Sequence, residues 1–345
     1  MTDAPSIAEL WSDAAWHLFS LDMVAASAQC LKLSEAEFHA ASFLDQRLLV
    51  SRHTHTLPLA EFQSLVGHPS NPTESPSTNF IFHIGHCGST LVSRALAANT
   101  AVLPLREPLG LRQLAAIPVQ QRNESWAWTL RLVLAAHSRV FRPGQASMIK
   151  ATSTCNSLIH PLMELAPQSK SLLLYLPLES YLAGLLGKQT PAIDLRGHAA
   201  SRLQEWQTLT GNPLQQHEGE DFSEAQLAVL AWLTSMARLL QASARQPGRC
   251  YLLNFEKFLA DPPGSLEHLI KFFHLDASRT EILTAWPDIS VGYSKQPEHP
   301  YSAFNRARTL ARGRQQRGDE ISSGLQWAKK LIQQHAGFQS CQSYL

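Results

Sequence analysis

The stretch Phe80-Ile81-Phe82-His83-Ile84-Gly85-His86-Cys87-Gly88-Ser89-Thr90-Leu91-Val92-Ser93-Arg94 decides the fold. Phe80, Ile81, Phe82 and Ile84 form an almost continuous apolar run, the pattern of a strand buried on both faces of a parallel sheet. Gly85 and Gly88 allow a sharp turn and let a ligand approach the backbone closely. Ser89 and Thr90 then open a helix whose apolar positions Leu91, Val92, Ala95 and Leu96 share one face. The free amides of such a helix start carry partial positive charge and point into the turn. The pattern therefore predicts a site for a phosphate or sulfate group.

Spacing narrows the choice of loop. A Walker-type loop needs Gly, four residues, then Gly-Lys-Ser/Thr; counted from Gly85, those Gly and Lys places hold Thr90 and Leu91. Gly85 and Gly88 also lack the spacing of a dinucleotide fingerprint. From His86-Cys87 to Arg94 there is one residue too many for a cysteine-phosphatase loop, although a helix N-terminus still favours some thiolate character at Cys87.

The stretch resembles the 5′-phosphosulfate loop of the sulfotransferase family, a strand followed by Lys/Arg-Ser-Gly-Thr-Thr, with His86, Cys87, Gly88, Ser89 and Thr90 in those places. His86 stands where the family has Lys or Arg, and Cys87 where it has Ser. A His still donates to a sulfuryl oxygen but carries full charge only when protonated. The resemblance implies 3′-phosphoadenosine 5′-phosphosulfate as co-substrate and no metal. It also implies contacts to the phosphosulfate from Cys87, Gly88, Ser89, Thr90 and Leu91, with His86 as a side-chain donor.

Working downstream, Ala101-Val102-Leu103-Pro104-Leu105 reads as a second strand that delivers Arg106-Glu107-Pro108 to the carboxyl end of the sheet, where open α/β sheets bind ligands. Sulfuryl transfer needs a base in line with the departing group. Glu107 is the candidate, as the resemblance implies from a Glu after this strand in several subfamilies; the plain alternative is an ion pair with Arg106 or Arg112. Ser147-Met148-Ile149-Lys150-Ala151 is a third strand, and Lys150 at its end is placed to neutralise charge on the transferring group. Many family members carry a Lys there.

Ser171–Pro177 is a strongly buried strand, followed by a helix from Leu178. In the family this segment carries an Arg and, eight residues later, a Ser that hold the donor's 3′-phosphate; here those places hold Tyr175 and Ala183. Residues 189–222 read as a polar insertion, with Asp221 to Glu224 as a capping box opening the next helix. Phe255-Glu256-Lys257-Phe258, ahead of Asp261-Pro262, is similar to the family's Tyr-Glu-Asp-Leu segment, which is mainly architectural. The basic residues Lys295, Arg306, Arg308, Arg312, Arg314 and Arg317 are interleaved with Tyr293, Tyr301 and Phe304. Arg312-Gly313 and Arg317-Gly318 resemble the family's late loop around the 3′-phosphate, so Arg312 and Arg317 become candidates for the missing cation. A solvated basic face or an RNA contact is the plain alternative.

Upstream, residues 1–66 read as a helical section from the spacing of Ile7, Leu10, Trp11 and Ala14 and, more loosely, of Leu31, Ala36, Phe38 and Phe43. Residues 67–78 are a linker by composition, which leaves 79–345 as the loop-bearing domain. His53 and His55 lack a third ligand. The 345 residues carry a net charge of +1, so no general field favours nucleic acid. The five scattered cysteines lack metal-ligand spacing and suit free thiols in a reducing compartment. With no leader and no apolar run long enough to span a bilayer, the expectation is a cytoplasmic enzyme without membrane contact.

The expected fold is a three-layer α/β/α domain with a mainly parallel sheet and a P-loop NTPase-like first turn, of the sulfotransferase type, carrying the N-terminal helical section. The expected function is sulfuryl transfer to a hydroxyl or amine of a small-molecule, carbohydrate or peptide acceptor. Two alternatives stay open: a non-catalytic binding protein on the same scaffold, and a phosphoryl-transfer or nucleotide-binding enzyme with an atypical loop.

Overall fold

The computed structural model describes residues 6–49, 54–64, 78–188, 192–214, 221–291 and 303–345. Its strands form two sheets. The first is antiparallel, from β1 (Trp16–Asp22), β2 (Ser27–Lys32) and β3 (Thr54–Pro58), in that order. The second has five strands: β4 (Thr78–His83), β5 (Val102–Arg106), β6 (Ala146–Lys150), β7 (Ser171–Tyr175) and β8 (Cys250–Asn254). Its order is β5-β6-β4-β7-β8, and every neighbouring pair is parallel. This is an α/β fold.

Consecutive residues of β4 to β7 are buried, so both faces of the parallel sheet are covered, as their unbroken apolar runs require. The helix Ser89–Leu96 lies against β4, β5 and β6 and joins the helices Pro262–Phe273 and Arg279–Val291. The long helix Glu224–Arg245 lies against β4, β7 and β8. Pro104 is tolerated because β5 is an edge strand, hydrogen-bonded on the β6 side only. From the central β4 the chain runs to one side of the sheet for β5 and β6, then crosses to the other for β7. The turn after β4 thus sits where the winding direction changes, the place where such sheets open a crevice.

The N-terminal section is not mainly helical. Among its described residues, only Ile7–Ser12 and Glu35–Ala40 are α-helix; the rest is dominated by the antiparallel sheet. The cause is visible in β1, where His17, Leu18 and Phe19 are all buried in succession. One side of β1 faces the helices Leu109–Ala116 and Glu124–His137, and a bulge between Leu18 and Ser20 interrupts the alternation that would distinguish the strand. The expected linker lies outside the described residues up to position 77, and Thr78 already belongs to β4. The capping box expected at Asp221 is made instead by Ser223 with Gln226. Glu224–Arg245 is long and apolar enough to cross a membrane, but most of it is buried inside the protein.

Candidate active site

The turn after β4 is held from below by its own side chains. His83 Nδ1 accepts from the Gly85 amide at 2.9 Å, and Asn156 Nδ2 donates to the His83 carbonyl at 3.1 Å. Gly88 adopts φ +76°, and a Cβ there would lie 2.0 Å from the Phe255 ring. Phe255, the first residue of the Phe-Glu-Lys-Phe segment, presses on the loop glycine and stacks on Phe258. The helix beginning at Ser89 has Gly88 at its N-cap and so no side-chain cap hydrogen bond.

Two catalytic candidates carry backbone strain. Among the described residues, positive φ outside glycine occurs at Ala26, His86, Glu107 and His274. Strain of this kind persists where the surroundings fix it, and it gathers at functional sites. Glu107 extends β5 and Lys150 ends the adjacent β6, so the sheet itself brings them together; the Glu107 amide donates to the Lys150 carbonyl at 2.6 Å. Their side chains form an ion pair, with Lys150 fully buried and Glu107 partly exposed at the cavity. Glu107 therefore pairs with Lys150, and not with Arg106 or Arg112. Arg106 is buried and donates to the carbonyls of His39 and Ala41 at 3.0 and 2.8 Å and to Ser93 Oγ at 3.1 Å. Burial lowers its pKa to about 9.

Cys87 is buried. Burial pushes its thiol up to about 12, far outweighing the nearby amides and Lys150, and its Sγ lies 3.5 Å from the Leu174 carbonyl. The thiolate character expected at a helix start is disfavoured because the side chain is buried.

Two adjoining cavities meet at this point. One, of ≈ 300 Å³, is lined by the loop residues His86 to Leu91 together with Glu107, Lys188 and Arg306. The other, of ≈ 280 Å³, is lined by Asp45, Arg112, Thr152, His198 and Arg202 among others. His83, His86, Glu107 and Tyr181 line both. Glu107 thus stands at the junction, with the glycine turn after β4 on one side and a polar chamber on the other.

The cations of the first cavity are not the expected ones. Arg312 Nε donates to the Gly187 carbonyl at 2.8 Å and so caps the helix Leu178–Leu186. Arg317 is held by Glu224 and Glu320, at 2.9 and 2.7 Å. Neither lines the cavity. Both were legible only as basic residues, since their carbonyl and carboxylate partners lie far away in sequence or on the same helix. Arg306 and Lys188 line it instead. Arg306 comes in on the helix Ala303–Gln316, which crosses Leu178–Leu186 so closely that a Cβ on Gly313 would meet the Ala183 carbonyl at 2.1 Å. Its guanidinium lies over the Phe255 ring at 5.6 Å, and its buried Nη2 makes no hydrogen bond, with Glu256 Oε1 at 3.6 Å. Lys188 Nζ is 2.9 Å from His86 Nδ1, a distance at which the ammonium donates to a neutral ring. Nothing in the sequence marked Lys188, which follows a helix end with no local motif. Lys295, Tyr293 and Tyr301 lie outside the described residues, as does His53; His55 packs edge-on against Trp16.

Tyr175 packs edge-on against Tyr344, and Ala183 is buried in the helix crossing; neither lines the first cavity. Among the described residues no group of three or more His, Cys, Asp or Glu side chains could hold a metal ion.

No curated protein sequence matches the chain. Solved structures with a similar course of chain include a sulfotransferase from Mycobacterium avium, at 12% identity over 74% of this chain and 80% of that one, with TM-score 0.41. The sulfotransferase domain of the Synechococcus PCC 7002 olefin synthase matches at 14% identity over 76% and 98%, with TM-score 0.40. The sulfotransferase domain from the curacin biosynthetic pathway matches at 16% identity over 56% and 72%, with TM-score 0.37. The model of the sulfotransferase family matches residues 80–279, which spans the turn after β4, Glu107, Lys150 and the Phe255 buttress. By that match, over more than half its length, the chain belongs to the sulfotransferase family.

Proposed function

We propose that the protein transfers a sulfuryl group from 3′-phosphoadenosine 5′-phosphosulfate to a hydroxyl or amine of a small-molecule, carbohydrate or peptide acceptor. The observation that carries the reading is the Glu107–Lys150 pair, built by adjacent strand ends beside the uncapped start of the Ser89 helix. The donor fits the residues present. Loop amides from Cys87 to Leu91 and the hydroxyls of Ser89 and Thr90 suit the phosphosulfate. The buried Arg306 Nη2, which lacks a hydrogen bond, suits the 3′-phosphate in place of the missing Arg and Ser, with Lys188 as a second cation. Bound there, the donor supplies an electrophilic sulfur and a good leaving group, adenosine 3′,5′-bisphosphate.

Glu107 accepts the proton from the acceptor hydroxyl or amine as its oxygen or nitrogen bonds to sulfur, while the bond from sulfur to the bridging phosphate oxygen breaks. Lys150 holds Glu107 in place and, from the end of β6, offsets negative charge that builds on the sulfuryl and bridging oxygens. Lys188, hydrogen-bonded to His86, brings the cationic charge that His86 lacks when neutral.

The test is transfer of ³⁵S from labelled donor into acceptor fractions of a small-molecule and glycan extract, separated by electrophoresis. The expected result is a labelled acceptor that requires active protein. Labelled inorganic sulfate alone, or no release, across all fractions contradicts the reading.

A further inference from the structure

The family match begins at residue 80, yet one wall of the second cavity comes from before it. The segment between the helix Glu35–Ala40 and position 49 is stitched to the end of β5: the Leu44 amide donates to the Arg106 carbonyl at 2.7 Å, and the Leu109 amide donates to the Leu44 carbonyl at 3.0 Å. Arg94 Nη2 adds a bond to Ser42 Oγ at 2.9 Å, and the buried Arg106 side chain ties down Ala41. So anchored, the segment sets the Phe43 ring 5.8 Å from Lys150 Nζ and places Asp45 and Arg47 in the cavity lining.

The chemistry of that chamber is one-sided. With Glu107 matched by Lys150, its described lining holds the guanidinium groups of Arg47, Arg112 and Arg202 against the single carboxylate of Asp45. Asp45 takes two hydrogen bonds from Arg47, at 2.7 and 2.6 Å, and lies 3.6 Å from Arg112. Burial raises its pKa, but those bonds and charges outweigh burial and hold it below the ordinary carboxylate range, so it stays an anion that fixes the two arginines. Arg202 is buried, braced by Ser153 and Ser235, and its Nε has no hydrogen-bond partner. A neutral apolar acceptor would leave these donors desolvated without compensation.

We infer that the second cavity is the acceptor site and that the segment 41–47, with Arg112 and Arg202, selects a hydroxylated acceptor bearing an oxyanion such as a carboxylate, seated so that its hydroxyl reaches Glu107. This rests on the sulfuryl-transfer reading for the identity of the reaction, but the charge selection is a property of the cavity alone. Arg112 and Arg202 receive the oxyanion through charge-assisted, forked bonds. Thr152 offers a hydroxyl to the rest of the acceptor.

The experiment is calorimetric titration at low salt of two matched pairs, glucuronate against methyl glucoside and 4-hydroxyphenylacetate against 4-hydroxybenzyl alcohol, with and without adenosine 3′,5′-bisphosphate. The expected result is at least about tenfold tighter binding of the carboxylate in one or both pairs. Arg112→Gln is expected to reduce that preference by about threefold or more, and Asp45→Asn to increase it, with the bisphosphate affinity unchanged in both. Equal or tighter binding of the neutral members, no measurable binding of either carboxylate, or a preference untouched by Arg112→Gln overturns the inference. Failure of the bisphosphate to bind, with the carboxylate preference intact, strikes at the sulfuryl-transfer reading and leaves the anion selection standing.

Discussion

Burying a lysine requires a counter-charge, and Glu107 supplies it to Lys150 while keeping its own carboxylate at the edge of the cavity. Glu107→Gln is expected to lower the transfer rate by about 10²- to 10⁴-fold with nearly unchanged affinity for adenosine 3′,5′-bisphosphate; an undiminished rate would remove Glu107 as the base. The variant leaves Lys150 without its anion, so a stability loss of about 3 kcal/mol accompanies it, and the unchanged nucleotide affinity doubles as the check that the fold persists. Cys87, with a thiol pushed up to about 12 by burial, is expected to resist iodoacetamide at pH 8 in the native protein and to react only after unfolding. At this scale the adjacency of Glu107 and Lys150 was readable, because each ends a strand of the same parallel sheet; that only Glu107 reaches the cavity while Lys150 stays buried behind it was not. Arg312 and Arg317 were misleading because an arginine reads the same whether it faces a phosphate, a carbonyl or a distant Glu. The partners that absorb them, Gly187 and Glu224, come together only in the fold.

The turn from β4 into the helix Ser89–Leu96 works because Gly88 can hold φ +76° with the Phe255 ring against it. Gly88→Ala combines a left-handed backbone with a clash, and is expected to cost more than about 2 kcal/mol in urea unfolding. Adding Phe255→Ala should recover part of the nucleotide affinity that the first change removes; a fully stable Gly88→Ala protein would contradict this packing. The parallel strands, the loop and the helices after them were legible because buried strands are unbroken apolar runs and their ends carry Gly, Pro or hydroxyl residues. The antiparallel N-terminal sheet was not, because a bulge between Leu18 and Ser20 interrupts the twofold rhythm of β1 and leaves His17, Leu18 and Phe19 buried in succession. Nor was the docking of Leu44 on the end of β5, a backbone contact that leaves no side-chain signature.

Across the whole molecule, the N-terminal sheet is joined to the helix Glu124–His137 through a buried pair of histidines. The His17 ring of β1 stacks on His137 of the helix Glu124–His137, with centroids 5.0 Å apart, and His137 Nε2 lies 3.1 Å from the Leu18 carbonyl. Burial lowers His137 to about 4 and holds His17 well below the ordinary imidazole value, each also disfavoured as a cation by Arg139. The unfolded chain therefore binds protons that the native one excludes, and stability is lost as pH falls from about 6.5 towards 4. His137→Leu should flatten that part of the stability curve, read by urea midpoints across the range; an unchanged slope would show that the pair is not the acid-sensitive joint. The central claim, that the loop amides, Arg306 and Lys188 form a site for a 3′-phosphorylated adenosine donor beside Glu107 and Lys150, is tested most directly by calorimetric titration with adenosine 3′,5′-bisphosphate and with ATP. The account predicts saturable binding of the bisphosphate, at least about tenfold tighter than ATP and weakened about tenfold or more by Arg306→Ala. Tighter binding of ATP, or no binding of either nucleotide, would contradict it.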